Sequence, residues 1–159
     1  MEITIAAVGK IKEKYIQSGI KDYIDRLERF CSVDMIEIKP EKIKKNLTGA
    51  QIEEIKREEG ERILQRLPED NYLIALSVKG KPMTSEGLAK SIKNIRAKGK
   101  RKVTFIVGGP LGLSDEVMKK ADYTLSLSHM TFTHQMIRLI LLEQIYRAYK
   151  IINQEPYHK

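Results

Sequence analysis

The chain has 159 residues, close to the common size of one domain, of which 42% are hydrophobic and 31% are charged. This composition excludes a disordered chain, and no apolar run approaches the roughly 18 residues that a membrane-spanning helix needs. Cys31 is the sole cysteine, so an intramolecular disulfide is impossible and a cytoplasmic location is expected. We therefore expect one domain over residues 1–159, with no membrane partner.

The net charge of +8 is concentrated in one part of the chain. Residues 79–102 carry nine basic side chains and one acid, Glu86, so this segment alone accounts for the whole excess. A local basic excess is typical of a surface that binds a polyanion such as a nucleic acid. The alternative is a solvated helix face followed by a loop, because lysine-rich surfaces are common.

Strand and helix patterns alternate along the chain. Predicted strands cover residues 2–8, 33–38, 72–78, 102–107 and 123–127. Five helices are predicted, of which the first covers 15–30 and the last covers 133–152. Thr48 and Gln51 form a capping box at the start of the second, Thr84 or Ser85 caps the third, and the fourth starts at Ser114. The alternation predicts an α/β fold with a mostly parallel sheet and helices on both faces.

Parallel α/β sheets bind ligands at the carboxyl ends of their strands, and three such ends stand out here. They are residues 75–77, the glycine-rich turn 108–112 and residues 127–131. Glycines allow a backbone to approach a ligand closely, although a Gly-Pro-Gly turn is also a common structural element. The turn matches no nucleotide-phosphate motif. His129 and His134 lack the spacing of a zinc site, so no metal is expected.

The last predicted helix has an apolar arc of roughly 200°, wider than the stripe of an ordinary surface helix. Its members surround Arg138 and include Leu139, Leu142, Ile145, Tyr146 and Tyr149. A helix of this kind must be covered on two sides, and a second copy of the chain is the simplest cover. Arg138 is then paired across an interface, reserved for a ligand, or extended to water along its aliphatic stem.

Four segments together resemble a known family. They are AVGKIKEKYIQSGIKDYIDRL (7–27), FIVGGPLGLSDEV (105–117), LSLSHMTFTHQMIRLILLEQIYRAYKI (125–151) and NQEPYHK (153–159). The chain resembles the SPOUT methyltransferases, and among them the small bacterial members that modify large-subunit ribosomal RNA. The resemblance covers nearly the whole chain.

The resemblance implies transfer of a methyl group from S-adenosyl-L-methionine to N3 of a pseudouridine in 23S rRNA, on assembled ribosomes. It also implies a homodimer and a C-terminal trefoil knot, which the usual rules of chain topology would not suggest. Carried over by position, the cofactor-binding residues are Leu76, Gly108, Leu127, Ser128, His129, Met130, Thr131 and Phe132.

The tail and the basic segment supply the remaining candidates. His158 has the ordinary pKa of a group that could take the N3 proton, and Arg138 or Lys159 could stabilise the resulting anion. The expected RNA-binding residues are Lys98, Lys100, Arg101, Tyr157 and Lys159.

Two other functional classes compete with methyl transfer. A non-enzymatic ribosome-binding or RNA-binding protein would explain the basic segment, but it would not need a glycine turn beside a Ser-His-Met-Thr loop. A classical Rossmann-type oxidoreductase or methyltransferase would carry its glycine turn after the first strand and an acid at the end of the second. Here the first strand is followed by Gly9-Lys10, and the glycine turn comes late in the chain.

Overall fold

A computed structural model describes residues 1–156 of the chain. Its strands are β1 (Glu2–Val8), β2 (Ser32–Ile38), β3 (Asn71–Pro82), β4 (Lys102–Val107) and β5 (Tyr123–Ser126). Its helices are α1 (Lys14–Leu27), α2 (Gly49–Arg66), α3 (Ser85–Ala97), α4 (Asp115–Lys120) and α5 (Met136–Ile152). The predicted alternation of strands and helices is confirmed.

The five strands form one parallel sheet in the order β2-β1-β4-β3-β5. Because every strand runs in the same direction, the loops that follow the strands all leave from one side of the sheet. We call this side the carboxyl edge and the opposite side the amino edge. Any ligand site of the usual α/β kind therefore belongs at the carboxyl edge.

Helices cover both faces of the sheet, as predicted. On one face Ile3 and Ile5 of β1 and Phe105 of β4 pack with the buried residues of α1, α3 and α5. On the other face Val8 and Ile106 pack with residues of α2 and α4. Residues of β1 and β4 thus point to both faces, which is why both strands are mostly apolar.

Side-chain caps fix the starts of three helices. Thr48 and Gln51 form the predicted capping box of α2, each side chain bonding the other residue's backbone N–H. Thr84, and not Ser85, caps α3, because the Thr84 hydroxyl accepts a hydrogen bond from the Gly87 N–H at 3.0 Å. Ser114 caps α4 in the same way.

Strand β3 is longer than its apolar run indicates. It pairs with β4 only as far as Ala75, and its pairing with β5 shifts register between Leu76 and Lys81. At Gly80 the backbone of β5 comes so close that a Cβ would lie 2.6 Å from the Leu125 carbonyl carbon. Residues 75–77 are therefore the point where β3 leaves β4, and not the end of the strand.

Helix α5 is covered on two sides by its own chain. Leu142 and Ile145 are fully buried, and the Tyr149 ring stacks on Phe30 with the ring centroids 5.6 Å apart. Leu139 packs over Gly19 of α1. The wide apolar arc is thus explained by α5 lying among the sheet, α1 and α3, so the arc by itself does not require a second copy.

Within residues 1–156, no helix combines the length and the apolar character that crossing a bilayer would require.

Candidate functional site

A cavity of about 630 Å³ opens at the carboxyl edge, beside the ends of β3, β4 and β5. Three segments supply most of its wall, namely residues 76–79, 107–113 and 125–132, and His134 adds a side chain. The volume falls in the range of pockets that enclose a small organic ligand or cofactor.

The cavity brings together most of the residues expected to bind the cofactor. Seven of the eight line its wall, and they are Leu76, Gly108, Leu127, Ser128, Met130, Thr131 and Phe132. His129 does not line the cavity, and its side chain is exposed. The three loops predicted from strand ends are therefore neighbours in space, although the first of them lies within β3.

The glycine-rich segment forms a tight turn at the bottom of this site. The Gly109 carbonyl accepts a hydrogen bond from the Gly112 N–H at 3.0 Å, with Pro110 at the second position of the turn. Gly112 has φ +88°, a conformation that favours glycine. A Cβ on Gly108 would lie 2.8 Å from the Gly112 carbonyl carbon, so the turn closes on Gly108 itself and leaves no room for a side chain.

Serine hydroxyls hold the loop after β5. The Ser126 hydroxyl donates to the Ser128 carbonyl at 3.0 Å, and the Ser128 hydroxyl accepts from the Met130 N–H at 2.9 Å. These bonds leave large apolar side chains open to solvent beside the cavity, with Met130 73% and Phe132 37% exposed. Such side chains suit contact with a flat or apolar part of a ligand.

Arg138 is completely buried, so the idea that it extends to water is wrong. Its Nη2 donates to the carbonyls of Val8 and Gly9 at 2.7 and 3.0 Å, and its Nε donates to the His134 carbonyl at 3.0 Å. Nη1 has no hydrogen-bond partner within the described part of the chain. Burial lowers the pKa of this guanidinium, but an arginine stays charged at any physiological pH. Arg138 therefore joins the start of α5 to the end of β1.

His134 is a site residue that the sequence analysis considered only for metal binding. It lines the cavity, and its Nε2 would lie 3.7 Å from a Cβ placed on Gly9. Burial lowers the pKa of its imidazole, and the positive charges of Arg138 and Lys12 lower it further. Both effects favour the neutral form of the ring. A signal was available, because His134 lies only a few residues after the loop expected to bind the cofactor.

Glu59 is a buried carboxyl group behind the glycine turn, and no pattern in the sequence distinguishes it. It lies in a polar stretch of α2 but is only 3% exposed. Its Oε1 accepts from the Glu41 N–H at 2.9 Å, and its Oε2 would lie 3.1 Å from a Cβ on Gly109. Burial raises the pKa of this carboxyl group. Glu59 thus supports both the turn and the segment that follows β2.

The basic residues expected to bind RNA lie far from the cavity. Lys98, Lys100 and Arg101 precede β4, so they are at the amino edge, one strand length or roughly 20 Å from the carboxyl edge. The Lys100 ammonium is also paired with Asp70. The structure therefore separates these three residues from the candidate cofactor site.

The C-terminal candidates Tyr157, His158 and Lys159 lie outside the described residues. The chain leading to them does not end near the cavity. Glu155 pairs with Arg29 at 2.5 Å and with Lys150 at 2.6 Å, and Arg29 lies just before β2, at the amino edge.

Among the described residues, no three His, Cys, Asp or Glu side chains come together in a way that could hold a metal ion.

A family model described as "Predicted SPOUT methyltransferase" matches residues 1–158. The chain belongs to the SPOUT methyltransferase family. It is similar to proteins named "Ribosomal RNA large subunit methyltransferase H". The protein of Halothermothrix orenii is 61% identical and that of Clostridioides difficile 52% identical, and both alignments cover all of each chain.

A solved structure of a probable methylase family protein from Haemophilus influenzae Rd KW20 has a similar fold. The match has a TM-score of 0.53 at 13% identity and covers 99% of this chain and 70% of that one. At this identity the likeness supports the SPOUT fold and no further property. Membership in a methyltransferase family implies a methyl donor, and the cavity at the carboxyl edge is where the fold offers a place for it.

Proposed function

We propose that this protein is an S-adenosyl-L-methionine-dependent methyltransferase that modifies N3 of a pseudouridine in the 23S rRNA of assembled ribosomes. The observation that carries the proposal is the convergence of seven expected cofactor-binding residues on one cavity. Full-length relatives named as methyltransferases of large-subunit rRNA support the same conclusion.

The wall of the cavity fits a methyl donor that combines a nucleoside with an amino acid. Gly108 and Gly109 line the cavity with backbone groups that no side chain of their own shields. Leu76, Leu127 and Ile137 add apolar surface for a flat ring. No metal is part of the proposal.

We further propose that residues 1–159 form one SPOUT domain with a C-terminal trefoil knot and that the protein works in the cytoplasm, where assembled ribosomes are found. The support for the knot is membership in the SPOUT family, in which the resemblance implies it.

The donor supplies a methyl group that is already activated on a sulfonium, so the protein must orient the reactants and manage one proton. We propose that His158 accepts the proton from N3, because the ordinary pKa of a histidine suits a base near neutral pH. Arg138 is proposed to act indirectly, by positioning the backbone next to the site. Its complete burial and its bonds to the backbone of β1 and to His134 support a positioning role over direct contact with the base.

We also propose a homodimer, and the direction of α5 supports it. The helix is about 25 Å long, begins beside the end of β1 and carries the chain to the amino edge. The three residues after Pro156 extend the chain by at most about 11 Å, too little to return to the cavity of the same chain. We therefore propose that His158 and Lys159 of one subunit act in the cavity of a second copy.

Lys98, Lys100, Arg101 and Tyr157 are retained as proposed RNA contacts. From the amino edge, the first three would bind only RNA that extends well beyond the target nucleotide, or RNA held over the second subunit's cavity.

The proposal is tested with ribosomes from cells that lack the modification. The purified protein is incubated with them and with donor labelled in its methyl group, and the rRNA is then digested to nucleosides. We expect label in N3-methylpseudouridine alone. Label in another nucleoside would contradict the proposed target, and an unlabelled rRNA would contradict methyl transfer.

Calorimetry separates this function from the alternative, a non-enzymatic ribosome-binding or RNA-binding protein. Such a protein would bind ribosomes but would show no heat of binding with S-adenosyl-L-methionine. The methyltransferase should bind the donor without any RNA, because seven of the eight expected cofactor-binding residues already line the cavity within one chain.

A further inference from the structure

The carboxyl edge carries a set of lysines, most of which lie outside the basic segment 79–102. They follow β1, follow β2 or lie in the second half of β3, and they are Lys10, Lys12, Lys14, Lys39, Lys42, Lys44, Lys45, Lys79 and Lys81. All nine side chains belong to exposed residues. We call them the edge lysines.

The topology of the sheet gathers these lysines from three separate stretches of sequence. The loops after β1 and β2 leave from the same edge because β1 and β2 are parallel neighbours. The end of β3 reaches beyond β4 at that edge, and Lys79 lines the cavity. The edge lysines therefore extend from the β2 side of the sheet to the mouth of the candidate site.

Within the three segments that carry the edge lysines, acids barely neutralise the positive charge. Segments 9–14, 39–47 and 78–82 contain nine lysines against two acids, Glu13 and Glu41, and Glu41 is already paired with Arg62. Over residues 1–156, no edge lysine forms an ion pair. By contrast, Lys100 at the amino edge is held by Asp70.

A row of unpaired ammonium groups raises a strong positive potential along the edge and favours a partner with regularly spaced negative charges. A nucleic-acid backbone has that chemistry, and lysines that contact phosphates release counterions when it binds. The edge is also the one on which the cavity opens.

We propose that the edge lysines are the main phosphate-binding surface of this protein and that they hold RNA along the carboxyl edge, across the mouth of the cavity. This inference rests on the proposed function, because RNA is the partner that brings a target nucleotide to that cavity. It places the main RNA contacts in the loops after β1 and β2 and not in the segment around Lys98.

The test compares two double charge reversals of equal size. Lys42→Glu with Lys44→Glu alters the loop after β2. Lys119→Glu with Lys120→Glu is the matched control, because α4 ends at the amino edge and both lysines are exposed there. Binding to unmodified large ribosomal subunits is measured by sedimentation over a series of salt concentrations, and calorimetry follows the donor.

We expect the Lys42/Lys44 variant to bind ribosomal subunits about tenfold or more weakly and to lose about two units of salt slope, roughly one for each phosphate contact. The control should keep the slope of the unmodified protein, and donor affinity should be the same in all three proteins. Equal weakening of both variants would overturn the proposal, because it would show a response to net charge alone. An unchanged slope in the Lys42/Lys44 variant would also overturn it.

Vesicles of phosphatidylcholine mixed with phosphatidylglycerol serve as a second probe. Binding to vesicles with the same dependence on Lys42 and Lys44 would reject RNA as the specific partner. Failure of this proposal can be distinguished from failure of the proposed function. If the unmodified protein did not bind the donor or transfer a methyl group, the comparison of ribosome binding between the variants would still be valid.

Discussion

Arg138 shows how a single side chain can be misjudged from sequence and still be recognised as unusual. Its place at the centre of an apolar arc indicated that a buried charge needed partners. The partners are three backbone carbonyls of the same chain, those of Val8, Gly9 and His134. The sequence could not reveal them, because two of the three are separated from Arg138 by about 130 positions.

We expect Arg138→Met to lower the free energy of unfolding by about 3 kcal/mol, because it leaves buried carbonyls without donors while keeping similar volume. Urea denaturation measures the change. Arg57→Met removes an arginine whose ion pairs are exposed and should have a much smaller effect. Equal losses in the two variants would contradict the role given to Arg138.

His134 should make stability depend on pH. Burial and the nearby charges of Arg138 and Lys12 hold its pKa below 6.5 in the folded protein. The unfolded chain therefore takes up the proton first, and the free energy of unfolding should fall as the pH is lowered below about 6.5. Urea titrations across this range should show a weaker decline in His134→Gln. An identical decline in both proteins would assign the effect to other groups.

At the scale of elements, the geometry of the glycine turn shows what a side chain on Gly108 would contact, which its sequence alone could not. A side chain on Gly108 would first meet the backbone of Gly112 at 2.8 Å, before it could meet any ligand. We expect Gly108→Val to deform the turn and abolish donor binding in a protein that remains folded. Calorimetry measures the affinity, and circular dichroism checks the fold.

Gly49→Ala is the matched control, because a Cβ at Gly49 has nothing within 4 Å and the residue lies at the start of α2. It should keep the affinity of the unmodified protein. Donor binding that survives in Gly108→Val would show that the ligand does not depend on the shape of this turn.

The order and type of the elements could be predicted because each has a local cause. Thr48 caps a helix through its own neighbours, and β1 and β4 are short apolar runs between polar turns. The extension of β3 could not be predicted, since Gly80, Lys81 and Pro82 are typical of a turn and are held in the strand by β5. Its cause is a distant contact at Leu125.

The candidate site was partly predictable for the same reason. Loops at strand ends follow from strand prediction, and parallel pairing then brings them to one edge. The burial of Glu59 could not be predicted from the sequence, because it depends on where α2 meets the glycine turn. The basic segment 79–102 was also misleading as a unit, because β3 and β4 are parallel and its two ends lie at opposite edges of the sheet.

At the scale of the whole molecule, the reach of the tail predicts complementation between two defective subunits. A deletion of residues 157–159 keeps an intact cavity, and Gly108→Val keeps an intact tail. Each homodimer should be inactive in methyl transfer. When the two chains are co-expressed, mixed dimers should restore about a quarter of the activity of the unmodified protein, since half the dimers would hold one complete site.

Nucleoside analysis of ribosomes treated with all the co-expressed dimers, purified together without separating the mixed ones, provides the measurement. The deletion should leave donor affinity unchanged, because the role proposed for the tail is to handle the N3 proton and not to hold the donor. Mixed dimers without activity would contradict action of the tail on a second copy, and full activity of the deletion alone would remove His158 from the mechanism.

The hydrogen bonds from Arg138 to the Val8 and Gly9 carbonyls affect how the protein folds during its synthesis. A nascent chain emerges from its N-terminus, so β1 is exposed long before the residues that complete its end have been synthesised. The wall of the cavity also depends on segment 125–132 and on His134. The cavity is therefore completed only after segment 125–132 and His134 have been synthesised, and a product truncated before residue 125 would lack that part of the wall.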